Sequence, residues 1–285
     1  MGAATSRPPN LSNSRPRNLS NLMQILSPIE SLIKRDRAVV IVGVIAVSAI
    51  AWGYIIYVAQ SNADMGMSMS VAAGNVRPWT GVDFALMFVM WSVMMVAMMV
   101  PSAAPMILLF ATVNRRRREQ DRPFVSTGVF LSGYLVIWAL FALGATLGNW
   151  GLHQASLLSS MMGGSSSGYL GGGLLLTAGI FQWSRLKYVC LTHCRSPLSF
   201  LMSDWREGAG GAFKMGLQHG RYCLGCCWVL MALLFVLGVM NLVWIAALAA
   251  FVLAEKVAPA GQKVSRVTGV LLIVWGAWAI LAAAF

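Results

Sequence analysis

Three of the chain's five cysteines and one of its three histidines fall within His219-Gly220-Arg221-Tyr222-Cys223-Leu224-Gly225-Cys226-Cys227. At about 100° per helical residue, His219, Cys223 and Cys226 lie within a sector of about 60°, with Cys227 just beyond its edge. One helix face then carries an imidazole beside two or three thiols. Sulfur donors with a borderline nitrogen select Cu(I) or Zn(II) and suit Mg(II) or Ca(II) badly. Cysteine and glycine also let helices approach closely. Packing would account for one such residue, whereas the cluster favours metal or redox chemistry.

A single helix face cannot surround an ion, so a second segment must contribute. Cys190 and Cys194 are four apart in Tyr188-Val189-Cys190-Leu191-Thr192-His193-Cys194-Arg195-Ser196-Pro197, and one helical turn would present both to the same point. Arg185, Lys187 and Arg195 around them favour the metal-binding thiolate. His193 points elsewhere on such a helix and reads as a surface residue. Cys190 or Cys194 is therefore expected to join His219, Cys223, Cys226 and Cys227 in one soft-metal site.

Methionine is the other excess, at 18 residues. Met87, Met90, Met94 and Met98 share about 80° of helical arc, with Met95, Met99 and Met106 on the adjoining sector. Thioethers select Cu(I), and in a membrane helix they also make adaptable packing. The segment Asp64-Met65-Gly66-Met67-Ser68-Met69 places Met65, Met67 and Met69 where exposed thioethers bury nothing. A soft-metal conduit is expected to run from these three through Met87, Met90, Met94 and Met98 to Cys226. Pro101 and Pro105 on the same helix remove backbone donors, which in a membrane demands substitute partners. They are expected either to break the helix beside a polar site or simply to kink it.

The elements that must hold these residues are membrane helices. Apolar residues make up 58% of the chain and charged residues 11%, with the charges segregated; this is the pattern of an all-α, polytopic transmembrane bundle. Residues 1–37 read as a disordered or interfacial tail, and residues 38–285 as one transmembrane domain. Spans are expected at 38–59, 82–110, 124–148, 168–184, 213–240, 241–257 and 265–285. A tail on the inner side puts six, five, six and three Lys/Arg in residues 1–37, 111–123, 185–221 and 255–266, leaving only Arg77 outside. The positive-inside rule then gives N-in and C-out. A net charge of +12 therefore reports topology and contact with anionic lipid, not nucleic-acid binding. All five thiols fall on the reducing side, where a disulfide framework does not form. Arg221 and Glu255 are accessory polar residues of this inner region: Glu255 marks the interface, pairs with Arg221 or exchanges protons. Gly144/Gly148, Gly168/Gly172 and the Gly171–Gly173 run predict close helix crossings, and His153 stays unassigned.

Met94-Met95-Val96-Ala97-Met98-Met99-Val100-Pro101-Ser102-Ala103-Ala104-Pro105-Met106, the Lys187–Pro197 segment, and Gly216-x-x-His219-Gly220-x-Tyr222-Cys223-x-Gly225-Cys226-Cys227-Trp228 resemble, over roughly residues 80–280, the bacterial family described as predicted metal-binding integral membrane proteins, of unknown function. The resemblance implies a multi-pass protein of the bacterial inner membrane with a metal at His219 and the cysteines. The methionine loop is also similar in its chemistry to the methionine motifs of eukaryotic copper transporters.

The expected function is Cu(I) binding with transport or delivery, Zn(II) being the other candidate metal. The expected partners are lipid, the metal ion, and a soluble metallochaperone or cuproenzyme. A membrane thiol oxidoreductase using Cys223 and Cys226 is the alternative, and a non-enzymatic assembly or scaffolding protein is a third. No catalytic residue is assigned.

Overall fold

A computed structural model describes residues 38–61, 79–120, 124–155 and 168–285, and the regular structure of these residues is helical throughout. The tail and Met65, Met67 and Met69 lie outside the described residues. In chain order the helices are α1 (Ala38–Ser61), α2 (Gly81–Glu119), α3 (Thr127–Gln154), α4 (Gly168–Phe181), α5 (Arg185–Arg195), α6 (Pro197–Ser203), α7 (Gly208–Ala232), α8 (Leu234–Leu237), α9 (Leu242–Val257) and α10 (Gly261–Ala284).

Five helices are long and apolar enough to cross a membrane: α1, α2, α3, the continuous stretch Gly208–Leu237 formed by α7 and α8, and α10. The apolar helices α4 and α9 match the two remaining expected spans but have 14 and 16 residues. At about 1.5 Å per residue each falls short of a hydrocarbon core of about 30 Å.

Side-chain caps explain where several helices begin. Thr80 N donates to Asp83 Oδ2 at 2.8 Å while Asp83 N donates to Thr80 Oγ1 at 3.3 Å, the reciprocal box that starts α2. Ser184 accepts from Lys187 N at 3.1 Å to start α5, and Asn241 accepts from Val243 N at 3.2 Å to start α9. Between α8 and α9 the chain reverses through Gly238, whose φ of 93° only glycine adopts without strain.

Helix α2 departs from the sequence reading in two ways. It continues to Glu119 instead of stopping near residue 110, so Arg115–Arg118 form its last turns, where cations complement the helix dipole. It also runs without a break through Pro101 and Pro105, which leaves only the kink of the two expectations for them. Two residues before Pro101 the Met99 carbonyl receives two hydroxyls, Ser102 Oγ at 2.8 Å and Tyr134 Oη at 3.0 Å.

Glycine sets the helix spacing in two places. A Cβ on Gly216 of α7 would run into the Phe130 carbonyl of α3 and come 3.1 Å from Tyr134 N, and one on Gly133 would lie 2.9 Å from Leu217 N. In α4, a Cβ on Gly179 would lie 2.8 Å from the Gly269 carbonyl of α10. Of the expected glycine pairs, Gly168 and Gly172 do meet α10, whereas a Cβ on Gly144 would meet nothing within 4 Å and one on Gly148 would make an ordinary 3.6 Å contact with Phe235. The Gly144/Gly148 crossing is not made, because α3 docks on α7 through Gly133. Helix α1 packs through Ala51 and Ile55, with most of its other apolar side chains exposed.

Candidate metal centre

The α3–α7 crossing is what assembles the centre. Because no side chain separates Gly133 and Gly216, Tyr134 reaches across to α7, and its hydroxyl lies 3.1 Å from Cys223 Sγ. The predicted face of α7 is formed: His219, Cys223, Cys226 and Cys227 are all buried. Cys226 Sγ and Cys227 Sγ both donate to the Cys223 carbonyl at 3.0 Å. The Cys227 thiol also faces Met99 Sδ at 3.9 Å.

The second segment is α5, which supplies the helical turn expected around Cys190 and Cys194. Its capped start points Lys187, Cys190 and Leu191 inward. Cys194, one turn further and half-buried, faces the same group of thiols, and the neighbouring Cys223 and Cys226 sulfurs, with burial, raise its thiol well above the usual range. Cys190 sits behind the cluster, where a Cβ on Gly225 would come 2.6 Å from its sulfur, and burial pushes its thiol up. The five cysteines are free.

Lys256 of α9 completes the arrangement. Its ammonium donates to Cys223 Sγ at 3.0 Å and to Ser102 Oγ at 2.8 Å. A positive charge there offsets the negative charge of a thiolate in a low-dielectric interior. His219 is held by rings, with Phe130, Tyr134 and Phe200 centroids 6.1, 5.7 and 5.9 Å from its own. Its Nδ1 is buried without a hydrogen-bond partner, which ordinarily costs about 1–3 kcal/mol. A cavity of about 230 Å³ bordered by Ser102, Met106, Cys194, His219 and Lys256 opens beside these groups.

Two accessory expectations change. Glu255 is buried and bound by Lys187, with Nζ at 2.8 Å from Oε1 and 2.9 Å from Oε2. It therefore neither marks an interface nor pairs with Arg221, which is exposed on the far side of α7. His193 turns outward, stacking on Tyr222 at 4.4 Å. Met87, Met90, Met94 and Met98 are all buried along α2, but the thioethers that meet the centre are Met99, against Cys227, and Met106, at the cavity.

Tyr134, Ser102, Met99, Met106 and Lys256 were not assigned to the site from sequence. For Lys256 a signal existed: it shares the inward face of α9 with Ile245, Leu248 and Val252, at helical spacing.

Among the described residues no three His, Cys, Asp or Glu side chains form a preformed metal cage. The donors present are thiols from two helices, two adjacent thioethers and an unpartnered imidazole nitrogen, a set whose softness fits Cu(I) better than Zn(II). Fold and site together define an apolar helical protein with a sulfur-lined centre at the meeting of α2, α3, α5, α7 and α9. The sequence model of the family described as PpoB2, copper chaperone, matches residues 88–279, and the chain belongs to this family. The matched region spans every residue of the centre. No curated protein and no solved structure matches the chain.

Proposed function

We propose that the protein is a membrane-embedded copper chaperone that accepts Cu(I) at Cys194, Cys223 and Cys226, with His219 beside them, and passes it to a soluble metallochaperone or a cuproenzyme. The observation that carries this reading is Cys194 of α5, next to the Cys223 and Cys226 thiols of α7, lining a cavity together with His219, whose ring nitrogen is unpartnered. Cys190 and Cys227 lie immediately behind and act as reserve donors. An incompletely caged sulfur site suits a chaperone, because cargo must leave as readily as it arrives. Lys256 balances charge: a monovalent ion on two thiolates leaves a negative unit that its ammonium offsets.

In the bilayer the chain adopts seven helical passes, N-in and C-out, in a bacterial inner membrane. The charge asymmetry supports this, with α4 and α9 as short passes. Met65, Met67 and Met69 collect the ion, and Met87, Met90, Met94 and Met98 conduct it to Met99 and the thiols. Thioethers bind more weakly than thiolates, so the path runs downhill in affinity. Burial of the Cys223 and Cys226 sulfurs suits a cargo ion and disfavours thiol exchange with a protein disulfide.

The test is a Cu(I) competition titration of the full chain in detergent, with copper and zinc content measured together. The reading expects copper in preference to zinc and a loss of more than about a hundredfold in affinity for Cys223→Ser/Cys226→Ser, since even outer-shell changes cost ten- to a hundredfold. Equal copper binding by this variant contradicts it.

A further inference from the structure

Helices α2 and α3 run antiparallel, and two side-chain contacts fix their register. Tyr134 meets the Met99 carbonyl beside the thiols, and at the other end Asn149 Nδ2 donates to Met87 Sδ at 3.4 Å. The two contacts are about 20 Å apart along the helices at about 1.5 Å per residue. His153 lies one turn beyond Asn149 on the same face of α3, in its last turn.

Helical side chains lean toward the N-terminus of their own helix. In an antiparallel pair this inclines His153 back toward the level of Asn149 and Met87 forward toward the level of His153. This register sets the imidazole and the thioether within about one helical turn of each other along the pair. His153 Nδ1 is buried and has no hydrogen-bond partner among the described residues. The Trp79 ring packs on the imidazole with centroids 5.9 Å apart. A buried ring nitrogen left empty costs about 1–3 kcal/mol. The indole N–H donates only and cannot be a ligand, but its ring excludes water and its face attracts a cation.

We infer that His153 and Met87 form a second, weaker site for a soft monovalent metal ion at the opposite end of the α2–α3 pair, walled by Trp79. Asn149 is a positioning residue: by donating to one lone pair of Met87 Sδ it holds the thioether and leaves the other free for the ion. Met87 also heads the buried thioether file that continues through Met90, Met94 and Met98 to Met99, so the site is where cargo would be loaded. The inference rests on the copper reading for its cargo, while its donors are separate from the thiol centre.

Silver(I), a redox-inert soft monovalent probe, tests this on the full chain in detergent with nitrogen-15-labelled histidine. In the Cys223→Ser/Cys226→Ser background the expected result is a shift of the His153 ring resonances on silver addition. That shift should be lost in Met87→Leu, which conserves volume. In the otherwise unaltered chain, His153→Asn should remove the weaker binding event and leave the tighter one intact. A His153 resonance indifferent to silver, with unchanged stoichiometry in both variants, overturns the second site whatever the thiols do. Loss of the tighter event alone in the serine background, with the His153 shift retained, supports the second site. Failure of the thiol centre would show instead as a cysteine variant with undiminished copper affinity.

Discussion

Two helix pairs in this molecule are built by the same device and do different things. At α4–α10, as at α3–α7, glycine brings one backbone against another: Gly179 against the Gly269 carbonyl, Gly216 against that of Phe130. Around the first crossing the neighbouring side chains are Leu175, Ile273 and Ile280, with Gln182, Trp183 and a Ser265–Gln182 hydrogen bond of 2.8 Å beside Gly269 but no thiol or imidazole among these contacts. Around the second they are Tyr134, His219, Cys223 and Cys226. Close approach is thus general membrane-helix architecture, and chemistry follows from what is placed one turn away. At α4–α10 it makes a wall, and at α3–α7 it brings a phenol to a thiol.

The contrast is most sharply tested beside the centre, at the Lys187–Glu255 pair. Both side chains are 1% exposed, and removing one partner leaves the other charged and buried at a cost of about 3–5 kcal/mol. Glu255→Gln should therefore show the largest loss of thermal stability in detergent. Lys187→Met with Glu255→Leu should recover much of it with copper affinity retained, if the pair is scaffold. A double variant that is stable yet fails to bind copper would make the pair part of the centre.

The crossings themselves come next. Gly216→Ala and Gly179→Ala should each cost about 1–3 kcal/mol through overpacking. Only Gly216→Ala should also weaken Cu(I) binding, by pushing Tyr134 and α3 away from Cys223. Equal copper affinities in the two variants would dissolve the distinction between wall and site.

A smaller structural effect is expected in the thioether file. Leu at Met90, Met94 and Met98 together nearly conserves volume, so stability should fall by less than about 1.5 kcal/mol per position. Copper accumulation by cells expressing the variant should fall nonetheless. Unchanged accumulation would reduce the file to packing. Least of all should follow from Arg221→Ala, at an exposed position, where stability should stay within about 0.5 kcal/mol and copper affinity should not move.

How far the sequence reached can be seen from these same residues. Helical spacing alone put His219, Cys223 and Cys226 on one face, because period is a local property of α7. The apolar helices were equally legible, since hydropathy runs are local too. What could not be read was which residues of other helices arrive opposite. Cys190 and Cys194 looked equivalent at four-residue spacing, and only the approach of α5 to Gly225 separates the one behind the cluster from the one within it. Lys256 and Glu255 both looked interfacial, because charges near span ends usually are. In the folded chain one reaches Cys223 and the other Lys187. Tyr134 carries no motif, and its role exists only because Gly133 and Gly216 let two helices touch.

The central claim is that copper sits on sulfur contributed by α5 and α7. X-ray absorption at the copper edge of the Cu(I)-loaded full chain tests it most directly. The expected first shell is dominated by sulfur and loses sulfur scatterers in Cys194→Ser as well as in Cys223→Ser/Cys226→Ser. A first shell of nitrogen and oxygen alone, or a sulfur shell that all three substitutions leave unchanged, would contradict it.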